Sequence, residues 1–382
     1  MRIALVGRYP IQPGGFVGGV EASTSHLIEG LLALGQTDIH LVTLSAEIDS
    51  KVTREEGPVV YHYLPSPSRL QTVSWFAVPR RRIHRELDRI NPDVVHAQNS
   101  QVFGNICLGT PFPVVVSVHG IVTEELKHVT GLPALIRGYI HATMLQKSVI
   151  RRARHIIQPT RYPEAHFGSS TSAQWHDTGN AISKIFFQEK SSSARVHMLY
   201  SGAVIRRKRL ADLVEAFAVI ADDVPGTMLR VAGPIAEASY AEEVRSVAEA
   251  RGLSDRIVFL GLLDRSHLAE EYQACGVLVL PSGQETSPMV IAEAMASSAP
   301  VVATDVGGVR SLVSDGESGF VIPVGDVTTL ADRLGTILKD PGLASDFGKA
   351  GYAKARESFT SEAVARKVLT VYEQVIREAT SG

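Results

Sequence analysis

The sequence predicts two doubly wound α/β domains, and three observations support this prediction. Short apolar strands alternate with amphipathic helices in both halves of the chain. The strands are rich in Val and Ile and lack polar alternation, which is typical of strands buried on both faces of a parallel sheet. The chain of 382 residues is also longer than one hydrophobic core usually spans.

The first half contains one long predicted helix and five predicted strands. The helix covers residues 21–34, places Leu27, Leu31 and Leu34 on one side, and stops at Gly35, a residue type that favours helix C-termini. The strands cover residues 3–7, 39–44, 93–97, 114–119 and 155–158. We expect the first Rossmann-like domain to span residues 1–185.

The second half repeats this alternation. Strands are predicted over residues 196–202, 228–233, 257–261, 277–281, 301–304 and 320–323, and helices over residues 210–220, 241–251 and 327–338. Strand character lapses between residues 178 and 194, where Ser191, Ser192 and Ser193 favour a linker. We expect the second domain to span residues 194–360, followed by a last amphipathic helix at about residues 361–376.

Composition and charge restrict the class of protein. Hydrophobic residues make up 45% and charged residues 20%, which is ordinary for a globular chain. A formal net charge of −2 gives no global attraction to nucleic acid. Residues 1–190 carry 19 Lys and Arg against 15 Asp and Glu, whereas the remainder carries 19 against 25. A mildly basic first half favours an anionic acceptor or a membrane surface, although scattered solvated charges explain the same counts.

The cysteines and the apolar runs predict a cytoplasmic protein. Cys107 and Cys275 show neither metal-ligand spacing nor a disulfide framework, which fits a reducing compartment. The N-terminal residues run too soon into Gly and Pro for a signal peptide. No apolar run has the length of a transmembrane helix, so we expect any membrane contact to be peripheral.

The strongest chemical signal is the segment 281–296, which follows the strand predicted at 277–281. Ligands of parallel sheets bind at the carboxyl ends of the strands. Pro288 suits the first helical position, and the backbone amides around Ser287, Met289 and Val290 would then be unpaired and suited to a diphosphate.

Two glutamates in the same segment are candidate ligands of a sugar nucleotide. Glu285 lies in the loop and can reach a sugar ring or its hydroxyls, and Glu293 lies one to two turns into the helix, where its carboxylate can accept hydrogen bonds from ribose. The alternative is a capped surface helix with two solvated glutamates.

A second signal, Gly18-Gly19-Val20-Glu21, stands between the first strand and the first long helix. Glycines there allow a ligand to approach the backbone closely, with helix amides behind them. A plain loop before a helix gives the same pattern. The G-x-G-x-x-G fingerprint is absent, which argues against a nicotinamide enzyme.

Two histidines occupy predicted strands of the first half. His119 ends its strand and precedes Gly120, so it can hydrogen-bond a sugar hydroxyl or stabilise positive charge that develops nearby. A buried, hydrogen-bonded imidazole is the alternative for either histidine. We favour the functional interpretation for His119 and the structural one for His96, which lies within its strand.

A cationic loop follows the first strand of the second half. Arg206, Arg207, Lys208 and Arg209 come shortly after Gly202, and such a loop can bind phosphates as negative charge builds on a leaving diphosphate. A solvated basic turn is the alternative. The sequence contains no D-x-D pattern and no histidine–carboxylate spacing typical of a zinc site, so we expect no metal site.

These motifs, in this order, resemble family 4 of the retaining GT-B glycosyltransferases. Glu285 and Glu293 match the family's E-x7-E signature, and residues 300–308 and 315–320 are also similar. Lys208 matches the lysine of the Gly-Arg-x5-Lys pattern. The sequence departs from the family at Ala203, where arginine is usual, and at residues 286–288, where the family is Gly-rich.

The resemblance implies two Rossmann-like domains facing across a cleft, with residues 361–382 crossing back to the first. It implies transfer of a sugar, with retention of anomeric configuration, from a nucleoside-diphosphate sugar to a hydroxyl of a glycan, glycolipid or small molecule. We expect UDP rather than GDP as the nucleotide and no separate cofactor. The implied catalytic residues are His119, Glu285 and Lys208, and the implied donor-binding residues are Gly18, Gly19, Arg206, Arg207, Ser287, Pro288, Met289, Val290 and Glu293.

Two other classes share these motifs. A GT-B-fold sugar-nucleotide epimerase would use the same diphosphate site without an acceptor. A non-catalytic sugar-nucleotide-binding subunit is compatible with the missing arginine at Ala203, unless Arg206 or Arg207 compensates for it.

Overall fold

The computed structural model describes residues 1–12, 18–66, 76–127, 136, 138–188 and 197–381. The chain forms two compact units, Met1–Ala181 with Ser361–Gly382, and Ile182–Thr360. Ile182 and Phe186 are buried in a core cluster of the second unit, although the expected first domain extends to residue 185. The serines of the expected linker lie outside the described residues.

The first unit contains an eight-stranded sheet in the order β3-β4-β2-β1-β5-β6-β7-β8. All neighbouring strands are parallel except β3 and β4, which are antiparallel. In chain order the strands are Ile3–Val6, Ile39–Ser45, Val52–Glu56, Val59–Pro65, Val94–Ala97, Val114–Ser117, His155–Gln158 and Gln174–Asp177.

All five predicted strands of this unit are confirmed, and β3, β4 and β8 were not predicted. Strands β3 and β8 form the two edges of the sheet and are largely polar and solvent-accessible. Central strands are buried on both faces and therefore consist of a run of apolar residues, which is how they were recognised. An edge strand is more exposed to solvent and lacks such a run.

The helices of the first unit include the C-terminal helix Ser361–Ser381. It packs on the helix Gly19–Ala33, where a Cβ atom added to Gly30 would lie 2.8 Å from the Cβ of Ala365. Val368, Tyr372 and their neighbours on this helix are buried in the core of the first unit. Further α-helices among the described residues of this unit are Ala77–Ile90, Val102–Cys107, Val122–Leu126, Lys147–Arg152 and Tyr162–Phe167.

The second unit contains a six-stranded parallel sheet in the order β11-β10-β9-β12-β13-β14. Its strands are His197–Ser201, Met228–Ala232, Ile257–Gly261, Val277–Leu280, Val301–Thr304 and Gly319–Ile322, and all six were predicted. Its α-helices are Leu210–Ile220, Ala238–Ala250, Arg265–Ala274, Met289–Ala296, Val309–Leu312, Val327–Lys339 and Pro341–Ser358.

Each sheet has one topological switch point, the position where successive strands change from one side of the sheet to the other. In the first sheet it lies between β1 and β5, and in the second between β9 and β12. Open α/β sheets bind ligands outside the carboxyl ends of their strands at this position. The loops that follow these strands are therefore the first places to look for a functional site.

Candidate active site

At the second switch point, the loop after β12 leads into the helix Met289–Ala296. Pro288 precedes this helix with a ψ of 110°, which is extended, so the prediction that Pro288 is the first helical residue is wrong by one position. Met289 and Val290 open the helix, and amides of a first turn have no acceptor within the helix. The helix end is therefore suited to an anion, as predicted for this segment.

Glu285 lies in this loop and is held by three side chains. The hydroxyl of Ser282 donates a hydrogen bond to Glu285 Oε1 over 2.9 Å. The Nζ of Lys208 lies 3.2 Å from the same oxygen, and a guanidinium nitrogen of Arg207 lies 3.8 Å from it. The residue is 9% exposed, so this is a largely desolvated group of two cations and one carboxylate.

Lys208 reaches Glu285 because the chain after β9 turns sharply at Gly202. Gly202 has a φ of +144°, which L side chains rarely adopt, and a Cβ atom there would lie 2.8 Å from Lys208 Nζ. Lys208 itself ends a one-turn 3-10 helix, Arg206–Lys208. Glycine at this position thus provides both the backbone conformation and the space for the lysine.

The two arginines before Lys208 point to different places. Arg207 donates hydrogen bonds to the backbone and side-chain oxygens of Gln284, next to Glu285. Arg206 instead pairs with Glu243, with a nitrogen–oxygen distance of 2.6 Å, and lies over the ring of Tyr240. Of the two candidates that could compensate for Ala203, the structure therefore brings only Arg207 into the cluster.

Glu293 lies on the inner part of the helix Met289–Ala296 and contacts a tyrosine from another helix. The hydroxyl of Tyr272, which is fully buried, donates a hydrogen bond to Glu293 Oε2 over 3.0 Å. Burial raises the pKa of the Glu293 carboxyl to about 7, while the bond from Tyr272 acts in the opposite direction. Glu293 is thus a half-buried acceptor that can ionise near neutral pH.

At the first switch point, the structure contains a pocket of about 370 Å³. The loops and helix ends after β1, β5 and β6 line it. Gly18 precedes the helix Gly19–Ala33, and a Cβ atom added to Gly18 would meet no atom of the described residues within 4 Å, which leaves room for a ligand there. The lining residues are Arg8, Gly18, Gly19, Val20, Glu21, Gln98, Asn99, Ser100, Gln101, His119, Gly120 and Glu125.

The two histidines of this unit have different environments. His119 lines the pocket, and its Nε2 is buried with no hydrogen-bond partner among the residues that the structure describes. Burial lowers the pKa of His119 to about 4, so the ring is neutral at pH 7. His96 is hydrogen-bonded at both ring nitrogens, to Tyr372 over 2.6 Å and to Ser117 over 2.7 Å. The structural interpretation of His96 is therefore confirmed.

With one exception, the predicted site residues thus form two groups in the structure. Lys208, Arg207 and Glu285 form one cluster, and the residues that follow Glu285 form the adjoining loop and helix. Gly18, Gly19 and His119 surround the pocket of the first unit. Arg206 is the exception, because its guanidinium is engaged with Glu243.

Three residues beside the site were not predicted. Ser282 and Gln284 occupy the loop that carries Glu285, so their position directly after a strand was a usable signal. Tyr272 lies on a different helix, and no local pattern connects it with Glu293.

Over the described ranges, no group of three His, Cys, Asp or Glu side chains could hold a metal ion. Within the same part of the chain, no helix is both long and apolar enough to cross a membrane.

Two family models match the chain in succession. The model described as Glycosyltransferase Family 4 matches residues 17–169, and the model described as Glycosyl transferases group 1 matches residues 181–354. Together the two matches include the loops after β5, β9 and β12, whereas the loop after β1 begins before residue 17.

Curated relatives are similar over parts of their length. N-acetyl-alpha-D-glucosaminyl L-malate synthase from Bacillus anthracis is 26% identical over 280 residues, which cover 72% of this chain and 71% of that protein. Phosphatidyl-myo-inositol mannosyltransferase from Mycobacterium leprae is 34% identical over 177 residues, which cover 46% of this chain and 45% of that protein. The second match therefore spans less than half of either protein.

Solved structures are similar over nearly the whole chain. Sucrose-phosphate synthase from Thermosynechococcus elongatus has a TM-score of 0.79 at 23% identity, and covers 99% of both chains. Anabaena HepE in complex with UDP and glucose has a TM-score of 0.75 at 17% identity, and covers 98% of this chain and 99% of that one. At these identities the similarity shows the fold.

Proposed function

We propose a specific reaction for this chain, which belongs to the group 1 glycosyltransferases and has the GT-B fold. In this reaction it transfers a sugar from a nucleoside-diphosphate sugar to a hydroxyl group, and the anomeric configuration is retained. The observation that carries this proposal is the cluster of Lys208, Arg207 and Glu285 at the switch point of the second sheet. Two half-buried cations beside the loop that leads into a helix N-terminus are suited to a diphosphate leaving group.

In this proposal Lys208 and Arg207 neutralise the charge that builds on the diphosphate as the glycosidic bond breaks. Such fixed cations accelerate the reaction because they interact more strongly with the transition state than with the bound donor. The first-turn amides of Met289 and Val290 assist them, together with the loop residues Ser287 and Pro288.

Glu285 positions the hydroxyls of the donor sugar, and Glu293 holds the ribose. Glu285 is ion-paired with Lys208 and hydrogen-bonded to Ser282, and a carboxylate held in this way is a weak nucleophile. We therefore favour a front-face displacement through an oxocarbenium-like transition state, in which the leaving phosphate takes the proton of the acceptor hydroxyl.

His119, Gly18 and Gly19 act from the pocket of the first unit. The neutral His119 ring has a buried Nε2 without a partner in the described structure, which is suited to a hydroxyl of the sugar. Gly18 and Gly19 line this pocket and carry no side chain that would keep the donor away from the backbone.

We propose UDP as the nucleotide rather than GDP, with no separate cofactor and no metal. The similar HepE structure contains UDP and glucose, and the Lys208 and Arg207 pair would replace a divalent ion. The nucleotide sugar is then a substrate that leaves as a nucleoside diphosphate.

We also propose peripheral contact with an anionic membrane surface through exposed arginines of the first unit. Arg81, Arg85 and Arg89 are exposed on the helix Ala77–Ile90, and Arg151 and Arg152 on the helix Lys147–Arg152. Co-sedimentation with phosphatidylglycerol vesicles, and not with phosphatidylcholine vesicles, is the expected result. Equal recovery with both vesicles would contradict this part of the proposal.

The central experiment is product analysis with a panel of nucleotide sugars, each with and without a panel of hydroxyl-bearing acceptors. We expect release of UDP together with a glycosylated acceptor whose new linkage has the anomeric configuration of the donor. An epimerised nucleotide or a free sugar made equally well without acceptor would indicate an epimerase. Donor binding without any turnover would indicate a binding subunit, and an inverted linkage would refute retention.

A further inference from the structure

Gln146 is a buried residue that hydrogen-bonds three separate segments of the first unit. Its side chain is 1% exposed. The Nε2 donates a hydrogen bond to the hydroxyl of Ser100 over 2.9 Å and another to the carbonyl oxygen of Gly120 over 2.7 Å. The Oε1 accepts a hydrogen bond from the backbone amide of Val122 over 3.0 Å. Both hydrogens of the amide group and its oxygen are therefore engaged.

These contacts connect loops that line the first-unit pocket. Ser100 follows β5 and Gly120 follows β6, which is the neighbouring strand of the sheet, and both residues belong to the pocket lining. Val122 opens the helix Val122–Leu126, and a first-turn amide has no acceptor within its own helix. One buried side chain thus links two pocket loops and caps the helix that follows the second loop.

The backbone next to His119 is anchored on both sides. On one side, the amide of Val118 donates a hydrogen bond to the carbonyl oxygen of Ile157 over 2.9 Å. On the other side, the carbonyl oxygen of Gly120 accepts the bond from Gln146. The position of the His119 ring in the pocket therefore depends on Gln146.

A π-helix brings Gln146 to these loops. Gln146 ends the π-helix His141–Gln146, and the α-helix Lys147–Arg152 follows it directly. A π-helix has i→i+5 hydrogen bonds, is rare, and is found frequently at functional sites. Its wider turn changes the direction of the side chains that follow it along the helix. Here the side chain at its end reaches both pocket loops.

A buried glutamine can also have a purely structural role, and Gln158 provides the comparison. Its Nε2 donates hydrogen bonds to Glu164 over 3.0 Å and to Asp177 over 2.7 Å, and its Oε1 accepts one from the backbone amide of Glu164 over 2.9 Å. None of these three residues belongs to the described pocket lining. Gln158 is thus a matched control in the same unit, with the same number of hydrogen bonds.

We infer that Gln146 is a positioning residue for the proposed reaction: it holds the loops after β5 and β6 in the arrangement in which His119 contacts the sugar. Misplacement of a reacting group by about 1 Å can cost about 10²-fold in rate, even when the substitution lies far from the chemistry. This inference rests on the proposed function, which gives His119 its contact with the sugar.

The first test is steady-state kinetics of Gln146→Leu, which removes all three hydrogen bonds at a similar side-chain size. We expect turnover to fall about 10–100-fold. Calorimetric affinity for UDP should change by less than about twofold, because the cationic cluster of the second unit binds the diphosphate in the proposed function. Gln158→Leu should keep turnover within about threefold of wild type at a comparable loss of melting temperature.

A double-mutant cycle with His119→Ala separates positioning from general destabilisation. If Gln146 acts through His119, Gln146→Leu should lower turnover by less than about threefold once the His119 ring is absent. Gln158→Leu should have the same effect in both backgrounds. The inference would be overturned by losses from Gln146→Leu and His119→Ala that multiply in full, by wild-type turnover of Gln146→Leu, or by an equal loss in Gln158→Leu.

Gln146→Glu provides the same test if the leucine variant does not fold. Its carboxylate can accept the bond from the Val122 amide, but when ionised it cannot donate to the Gly120 carbonyl. We expect severalfold lower turnover that is not additive with His119→Ala, and independent losses would overturn the inference. Product analysis of the wild type tests the proposed function separately. A wild type that transfers sugar and shows a fully additive cycle would refute the role of Gln146 alone.

Discussion

The two switch points of the molecule have the same topological origin but carry different side chains. At β9 and β12, Lys208 and Arg207 surround the Glu285 carboxylate in a largely desolvated cluster. At β1 and β5, the pocket contains the neutral His119 and the buried Glu21. A parallel sheet thus provides the place for a ligand, and the loop residues decide which chemical groups meet the ligand there.

This comparison predicts that substitutions at the two switch points have different kinetic effects. Changes in the cationic cluster should alter the steps in which negative charge develops. Substitutions in the first-unit pocket should lower turnover through lost contacts with the sugar and should leave nucleotide affinity nearly unchanged.

The largest effect is expected for Lys208→Ala. Loss of a fixed cation beside the leaving diphosphate should reduce turnover by about 10²–10³-fold. The measurement is steady-state kinetics with the identified donor, and Arg206→Ala is the matched comparison, because Arg206 pairs with Glu243 and should matter much less. Normal turnover of Lys208→Ala would mean that the loop is only a solvated basic turn.

Ala203→Arg sharpens the same prediction. Since Arg207 already lies 3.8 Å from Glu285, a second arginine should add little turnover or should clash. A clear increase in turnover would show that Arg207 does not replace the missing arginine.

His119→Ala tests the other switch point. We expect a loss of about 1.5–3 kcal/mol of transition-state stabilisation, with the dissociation constant for UDP nearly unchanged. Turnover and calorimetric UDP affinity should be measured on the same preparation. Wild-type turnover would make His119 a structural residue, and an equal loss of UDP affinity would contradict the proposed separation of roles.

Glu293 should affect nucleotide binding rather than the chemical step. Glu293→Ala should weaken UDP binding by about 1–3 kcal/mol, the range for hydrogen bonds to a charged group. The pKa of this carboxyl is raised to about 7, so it ionises as pH rises through that value and becomes a stronger acceptor for ribose.

UDP affinity of the wild type should therefore increase between about pH 6 and pH 8 more than that of Glu293→Gln, which cannot ionise. The variant also corrects for titration of the phosphate itself. Identical pH profiles in calorimetry would remove the ribose assignment.

The smallest expected effect is that of metal removal. Because fixed cations serve the diphosphate in this proposal, activity should be unchanged after treatment with EDTA. Complete loss of activity that magnesium or manganese restores would show that the cationic cluster does not act alone.

The sequence by itself determined the architecture, because buried parallel strands and amphipathic helices have local periodicities that do not depend on their neighbours. It identified the eleven strands with a continuous apolar run, and it placed Glu285, Glu293, Lys208 and His119 at strand ends or helix starts. It missed the edge strands β3 and β8, because edge strands have polar faces and no such run. It also missed β4, a buried inner strand in which His62 interrupts the apolar residues.

The tertiary structure decided which of these side chains meet. Arg206 and Arg207 are adjacent in sequence, yet one pairs with Glu243 and the other approaches Glu285. Tyr272 contacts Glu293 from a different helix. Residues 1–190 carry 19 Lys and Arg, but within the described lining of the first-unit pocket Arg8 is the one residue of these two types. Charge counts and motif spacing depend only on the order of residues along the chain. A pKa, an ion pair or a pocket depends on distances between residues that only tertiary packing determines.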